Sequence, residues 1–126
     1  MIHVLFVDDD AAITKIVSSV LSNKEFIVDT ASSGIRGLDL AKKVKPDIIL
    51  LDQILPDILG NDILARLKQD ADTKLIPVVI FSAYFNIQAK EEALKRGALD
   101  YVAKYELEPT MLGEKIKKYL KIDEST

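Results

Sequence analysis

Cysteine is missing from all 126 residues, which removes disulfide frameworks, thiolate metal sites and cysteine nucleophiles and permits a reducing compartment. Histidine occurs once, as His3 at the far end of the first apolar run, where it reads as a sheet residue. An excess of positive charge is also lacking. Seventeen basic residues against 20 acidic ones leave a formal charge of −3, so there is no broad basic field to grip a nucleic-acid backbone or anionic lipid. No direct nucleic-acid partner is expected. No long hydrophobic run is present either: the opening MIHVLFVDDD ends in three acids, which suits a buried strand and neither a signal peptide nor a membrane span. Linkers, repeats and low-complexity segments are absent. A soluble, cytoplasmic single domain over residues 1–122 is expected, with a polar tail over 123–126. A chain of this length buries about two-thirds of its unfolded surface around one core.

What is present is an alternation. Short runs rich in β-branched residues recur at His3–Val7, Phe26–Thr30, Ile48–Leu51, Val78–Phe81 and Leu99–Ala103, each followed by a stretch with helical spacing. Five strands alternating with five helices argue an α/β fold with a parallel sheet. The runs IILL and VVIF have no polar alternation, as expected of central strands covered on both faces. In the first helix Ile13, Ile16, Val17, Val20 and Leu21 draw one apolar stripe, with Ala12, Lys15 and Ser19 left facing water. Similar stripes run through Ile35, Leu38, Ala41 and Val44, through Ile63, Leu64 and Leu67, through Ala93 and Leu94, and through Leu112, Ile116, Tyr119 and Leu120. Asp10 is placed to cap the first helix and Ser32 or Ser33 the second, Gly97 to end the fourth, and Pro109 to open the fifth.

In an open α/β sheet the ligand crevice lies beyond the carboxyl ends of the strands. There the sequence puts Asp8, Asp9 and Asp10 after the first strand, Asp52 after the third, Ser82 after the fourth and Lys104 after the fifth. Singly, each has an ordinary structural use: a helix cap, a turn hydroxyl, a solvated ammonium. Together they form a chemical set. Carboxylates that converge in one crevice repel, and a hard divalent cation relieves that repulsion. With oxygen donors and no histidine or cysteine, Mg²⁺ suits the set better than zinc. A carboxylate beside such a cation is also a nucleophile toward phosphorus, with a lysine neutralising charge on the transferring oxygens.

Through VLFVDDD, PDIILLDQILPDILG, VVIFSAY and GALDYVAK, the chain resembles the receiver domain of two-component response regulators along nearly its whole length. The resemblance implies a flavodoxin-like, three-layer αβα fold: a doubly wound five-stranded parallel sheet in the order 2-1-3-4-5, flanked by five helices. It makes Asp52 the phosphorylated residue. It assigns Mg²⁺ to Asp9 and Asp52 directly, to Asp8 partly through water, and to the main-chain carbonyl of Ile54. Ser82 becomes the switch hydroxyl, Lys104 the phosphate-pairing lysine, and Tyr101 the aromatic that moves between outward and inward rotamers. Pro56 and Gly60 match the loop after the acceptor, where glycine is expected to supply backbone freedom.

The same resemblance implies the partners. The donor is a phosphohistidine on a sensor histidine kinase or phosphotransfer protein, docking near Ala12, Lys15 and Ser19. The output face is helix 4, strand 5 and helix 5, toward a downstream protein or a second copy, with Lys90, Lys95, Asp100, Lys117 and Lys118 as candidate contacts. Such a chain is a signalling domain that catalyses only its own phosphorylation and dephosphorylation.

Two features depart from the family pattern. Tyr105 stands where a proline in a cis peptide usually follows the lysine, and a non-proline cis bond costs about 2.5–4 kcal/mol. Ile54 and Tyr84 occupy the two positions used to tune hydrolysis, and neither orients water as an amide or carboxylate does. Slow self-dephosphorylation is expected. Two other readings stay open: a receiver-like adaptor that works without phosphorylation, and a haloacid-dehalogenase-type phosphohydrolase with Asp8 as nucleophile. The second leaves Asp52 without a task and lacks a late acidic pair. A dinucleotide fold fits less well, since FVDDDAA fills the place of the glycine-rich turn.

Overall fold

The computed structural model describes residues 1–22, 25–106 and 108–122; the polar tail expected over 123–126 lies outside the described residues. Its elements alternate without exception: β1 Ile2–Val7, α1 Ala11–Leu21, β2 Phe26–Ala31, α2 Gly34–Val44, β3 Ile48–Asp52, α3 Gly60–Gln69, β4 Val78–Ser82, α4 Ile87–Lys95, β5 Asp100–Ala103 and α5 Leu112–Tyr119. Short 3₁₀ turns cover Lys104–Glu106 and Pro109–Met111. All strand pairs are parallel, and the order is β2-β1-β3-β4-β5. The α/β alternation and the flavodoxin-like order are thus as expected.

Successive side chains of a strand leave the sheet on opposite faces, so the apolar strands feed two cores. Leu5, Val7, Ile49, Leu51 and Ile80 pack with Ala41 of α2, Ile63, Leu64 and Leu67 of α3, and Ala93 of α4. Val4, Phe6, Ile48, Leu50, Val79 and Phe81 pack with Val17 and Leu21 of α1 and with Leu112 and Ile116 of α5. The layers are therefore α1 and α5, the sheet, then α2, α3 and α4.

Helix punctuation follows the polar residues. Asp10 accepts from the Ala12 and Ile13 amides at 2.9 and 3.3 Å, and Ser33 from the Arg36 amide at 3.3 Å. Gly97, at φ 105°, turns the chain out of α4. Pro109 opens a 3₁₀ turn that leads into α5 instead of starting the α-helix itself.

Three helix faces are rotated from expectation. Ile16, Ile35 and Leu94 are 47%, 43% and 42% exposed. In α1 the buried positions are Val17 and Leu21, which leaves Ile16 at the margin of its stripe. In α2 the buried residues are Gly34, Gly37 and Ala41, with Gly37 and Ala41 against the sheet and Gly34 against Ile58 and Ile63. A Cβ at Gly37 would lie 2.9 Å from Val7 Cγ2, so α2 sits down on β1 through small residues and its large ones flank the contact. Among the described residues no helix is long and apolar enough to cross a membrane.

Candidate functional site

Register gathers the polar strand ends. Val7 lies beside Leu51, Asp52 beside Phe81, and Ser82 beside Ala103. Asp8 therefore comes level with Asp52, and Lys104 follows one residue past Ser82 on the neighbouring strand. Asp52 and Ser82 are the last residues of β3 and β4, where loop positions were expected. Strand hydrogen bonding fixes them more tightly than a loop would: the Gln53 amide still bonds to Phe81 O at 3.1 Å.

Asp8, Asp52 and Ser82 are 1%, 4% and 1% exposed, whereas Asp9 faces solvent. Oxygens of Asp8, Asp9 and Asp52 lie within 4.8 Å of one another. Among the described residues one cation faces them. Lys104 Nζ lies 3.0 Å from Asp8 Oδ2 and 3.2 Å from Asp52 Oδ2, and 5.6 Å above the Phe81 ring centroid. Phe81 stacks on Phe6 with centroids 5.2 Å apart, so the lysine stem rises from an apolar floor. The Lys104–Tyr105 peptide is trans, because no described bond is cis. Lys104 reaches both carboxylates without the turn that a cis bond would provide.

Electrostatics follow from that count. Burial, reinforced by the charge of Asp8, pushes the Asp52 carboxyl up to about 6 against the opposing pull of Lys104. The Lys104 ammonium is held above its ordinary value: its burial acts the other way, but the hydrogen bond and charge of Asp8, together with Asp52, outweigh it. Three carboxylates against one ammonium leave an uncompensated negative charge on an all-oxygen donor set. That chemistry fits a hard divalent cation such as Mg²⁺.

The surroundings are built from nearby backbone. Ser82 Oγ accepts from the Tyr84 amide at 3.1 Å. Tyr101 lies inward at 2% exposure, its hydroxyl donating to Tyr84 O at 3.2 Å, and its ring tilts against Phe85. Ile54 and Tyr84 are 52% and 77% exposed at the rim. A cleft of about 480 Å³ borders Asp8 and Asp9, with Thr14, Lys15, Ser32 and Arg36 along it. On the face of α4, β5 and α5, Asp100 pairs with Lys90 at 3.5 Å and accepts from the Tyr119 hydroxyl at 2.5 Å. Lys117 pairs with Glu25 on the opposite flank.

Gly60 is required for a reason other than the one expected. Its φ is not positive. A Cβ there would instead lie 2.7 Å from Asp52 O and 2.9 Å from Gln53 Cα, while the Gly60 amide bonds to Gln53 O at 2.8 Å. The need is space beside the backbone of Asp52. Gly60→Ala is expected to cost about 1–3 kcal/mol by overpacking; urea unfolding with an unchanged midpoint would refute this.

Sequence reasoning passed over Asp57, which bonds to the start of α2 (below). The only signal it gave was a Pro-Asp pair in a loop.

Comparison with known proteins supplies the family. The model of the response regulator receiver domain matches residues 4–117. The chain is 39% identical over 104 residues to the DNA-binding dual master transcriptional regulator RpaA of Synechocystis, covering 82% of this chain and 43% of that protein. It is 38% identical over 109 residues to a protein-glutamate methylesterase/protein-glutamine glutaminase of Methanosarcina mazei, covering 82% of this chain and 29% of that one. The chain thus spans less than half the length of these curated relatives. Among solved structures, chemotaxis response regulator CheY4 of Vibrio cholerae superposes with a TM-score of 0.86 at 26% identity, over 94% of this chain and 98% of that one.

Proposed function

This chain belongs to the response regulator receiver domain family of two-component systems, and from that premise we propose that Asp52 accepts a phosphoryl group from a phosphohistidine of a sensor kinase or phosphotransfer protein. The observation that carries this reading is the buried Asp52 carboxylate, set within 4.8 Å of two further carboxylates and 3.2 Å from a single ammonium. Asp8, Asp9, Asp52 and the main-chain carbonyl of Ile54 would hold Mg²⁺. When bound, the cation neutralises the carboxylate cluster and the phosphoryl oxygens, so that two anions can approach.

The chain's own residues do the rest. An Asp52 carboxylate oxygen attacks phosphorus, the bond from phosphorus to the donor's imidazole nitrogen breaks, and its electron pair leaves with the ring. Lys104 exchanges a carboxylate partner for a phosphoryl oxygen, and Ser82 gives up its Tyr84 amide to meet another. The new group carries nearly two negative charges. One charge-assisted hydrogen bond contributes roughly 1.5–3 kcal/mol, whereas moving a population from 1:99 to 99:1 needs about 5.5 kcal/mol. Ser82 and Lys104 therefore act jointly, and a partner that prefers the phosphorylated form completes the shift. The Tyr101 hydroxyl on Tyr84 O joins the loop after Ser82 to β5, which supports α4, β5 and α5 as the output face. Ile54 and Tyr84 leave the acyl phosphate without a water-orienting group, so it hydrolyses slowly.

The test is intact mass after incubation with acetyl phosphate, with and without Mg²⁺, followed by borohydride reduction and peptide mapping. A Mg²⁺-dependent gain of one phosphoryl group at residue 52 is expected. A gain at residue 8 would favour the phosphohydrolase reading, and no gain the adaptor.

A further inference from the structure

The loop between β3 and α3 carries Ile54 past the acceptor, and it is held by a carboxylate that takes no part in the cluster. Asp57 Oδ1 accepts from the Gly34 amide at 2.8 Å and Oδ2 from the Ile35 amide at 2.9 Å. Gly34 and Ile35 open α2, where amides have no partner within the helix. The local cap, Ser33, serves the Arg36 amide. So α2 has a second cap from a distant segment. The Ile35 and Gly34 amides hold the Asp57 carboxyl below the usual carboxylate range.

Contact around this clamp is tight. A Cβ at Gly34 would lie 2.4 Å from Ile58 Cγ2, so the loop rests directly on the start of α2. At its other points the loop is pinned by Gln53 N to Phe81 O at 3.1 Å, by Gly60 N to Gln53 O at 2.8 Å, and by Leu55, which is buried. Between these pins lies Ile54, whose carbonyl the reading above assigns to the cation.

We propose that Asp57 is a positioning residue for the metal site, clamping the acceptor loop onto α2 so that occupancy of the site and order in the first turn of α2 depend on each other. The inference rests on the Mg²⁺ reading of the preceding section. Coupling of this kind is reciprocal: a clamp that favours cation binding is tightened by the cation in turn.

Amide-resolved NMR on the full chain tests it by Mg²⁺ titration and hydrogen exchange of wild type, Asp57→Ala and Asp57→Asn. In the wild type, Mg²⁺ is expected to slow exchange at Gly34 and Ile35 more than at Arg36 and Gly37, which bond to Ser33. Asp57→Ala is expected to bind Mg²⁺ roughly tenfold more weakly, within the usual range of coupling between two sites, and to lose that selective slowing. Asp57→Asn keeps one acceptor oxygen and falls between the two; it decides the matter if the alanine variant does not fold. Equal Mg²⁺ affinity in wild type and both variants would reduce Asp57 to a helix cap and overturn the inference alone. Absence of Mg²⁺ binding in the wild type would overturn it together with the metal reading.

Discussion

Asp52→Asn is expected to take up no phosphoryl group from acetyl phosphate at any Mg²⁺ concentration and yet, without metal at pH 7, to be more stable than the wild type. The first effect follows from removing the nucleophilic oxygen, since a neutral amide does not attack phosphorus. The second follows from the same burial that makes the site useful. The Asp52 carboxyl is raised from 3.8 to about 6 by desolvation and by Asp8. A carboxyl with a raised folded value binds a proton in the native state over a window where the unfolded chain has released it. Wild-type stability therefore falls as pH rises from about 4 to about 6, and the loss is complete above that range. At about 1.36 kcal/mol per unit, discounted for solvent reaching the mouth of the site, the asparagine gains about 1–2 kcal/mol at pH 7 and nothing near pH 4. Urea denaturation of both proteins at pH 4, 5.5 and 7 in EDTA measures this. Mg²⁺ is expected to close the gap by stabilising the wild type. A variant less stable than wild type at pH 7 would mean that the Lys104 ion pair outweighs the burial and Asp8 repulsion.

Lys104→Ala is expected to slow phosphoryl uptake by about 10²–10³-fold at saturating Mg²⁺, the usual loss when one preorganised charge partner of a transition state is removed. Nothing else within reach replaces it. Lys104 Nζ is the one cation within 4 Å of Asp8 or Asp52 among the described residues. Removal also leaves two buried carboxylates facing each other. Asp52 then moves further up, and the metal-free protein loses about 1–3 kcal/mol at pH 8, as for a buried charge stripped of its partner. Mg²⁺ is expected to restore much of that stability but little of the rate, because it would be held by the carboxylates and would not replace the ammonium as a partner of the phosphoryl group. The rate constant of mass gain under excess acetyl phosphate is the readout. A change of less than threefold would remove Lys104 from the chemistry. Lys104→Arg is expected to fall between the two, since a planar fork does not substitute for a compact ammonium.

The strands and strand ends were legible because parallel strands covered on both faces read as uninterrupted apolar runs. The polar residue that stops each run then lies at the carboxyl edge of the sheet. Hence Asp8, Asp52, Ser82 and Lys104 could be picked out one by one. Helix faces were less legible. Reading apolar stripes counts large side chains, but α2 meets the sheet through Gly37 and Ala41, so the stripe puts Ile35 on the wrong side. Glycine at position 60 reads from sequence as backbone freedom, whereas its task is to leave room for the Asp52 carbonyl. Asp57 was invisible because its partners are 22 and 23 residues away.

By itself, then, the sequence determined the alternation of elements, the parallel sheet, the all-oxygen donor set and the residues that end the strands, since these depend on local periodicity and residue chemistry. The tertiary structure alone decided that Lys104 spans both Asp8 and Asp52 across a trans peptide, that burial pushes the Asp52 carboxyl up to about 6, and that the loop after β3 is tied to α2. Distances, desolvation and register arise only when strands distant in sequence lie side by side.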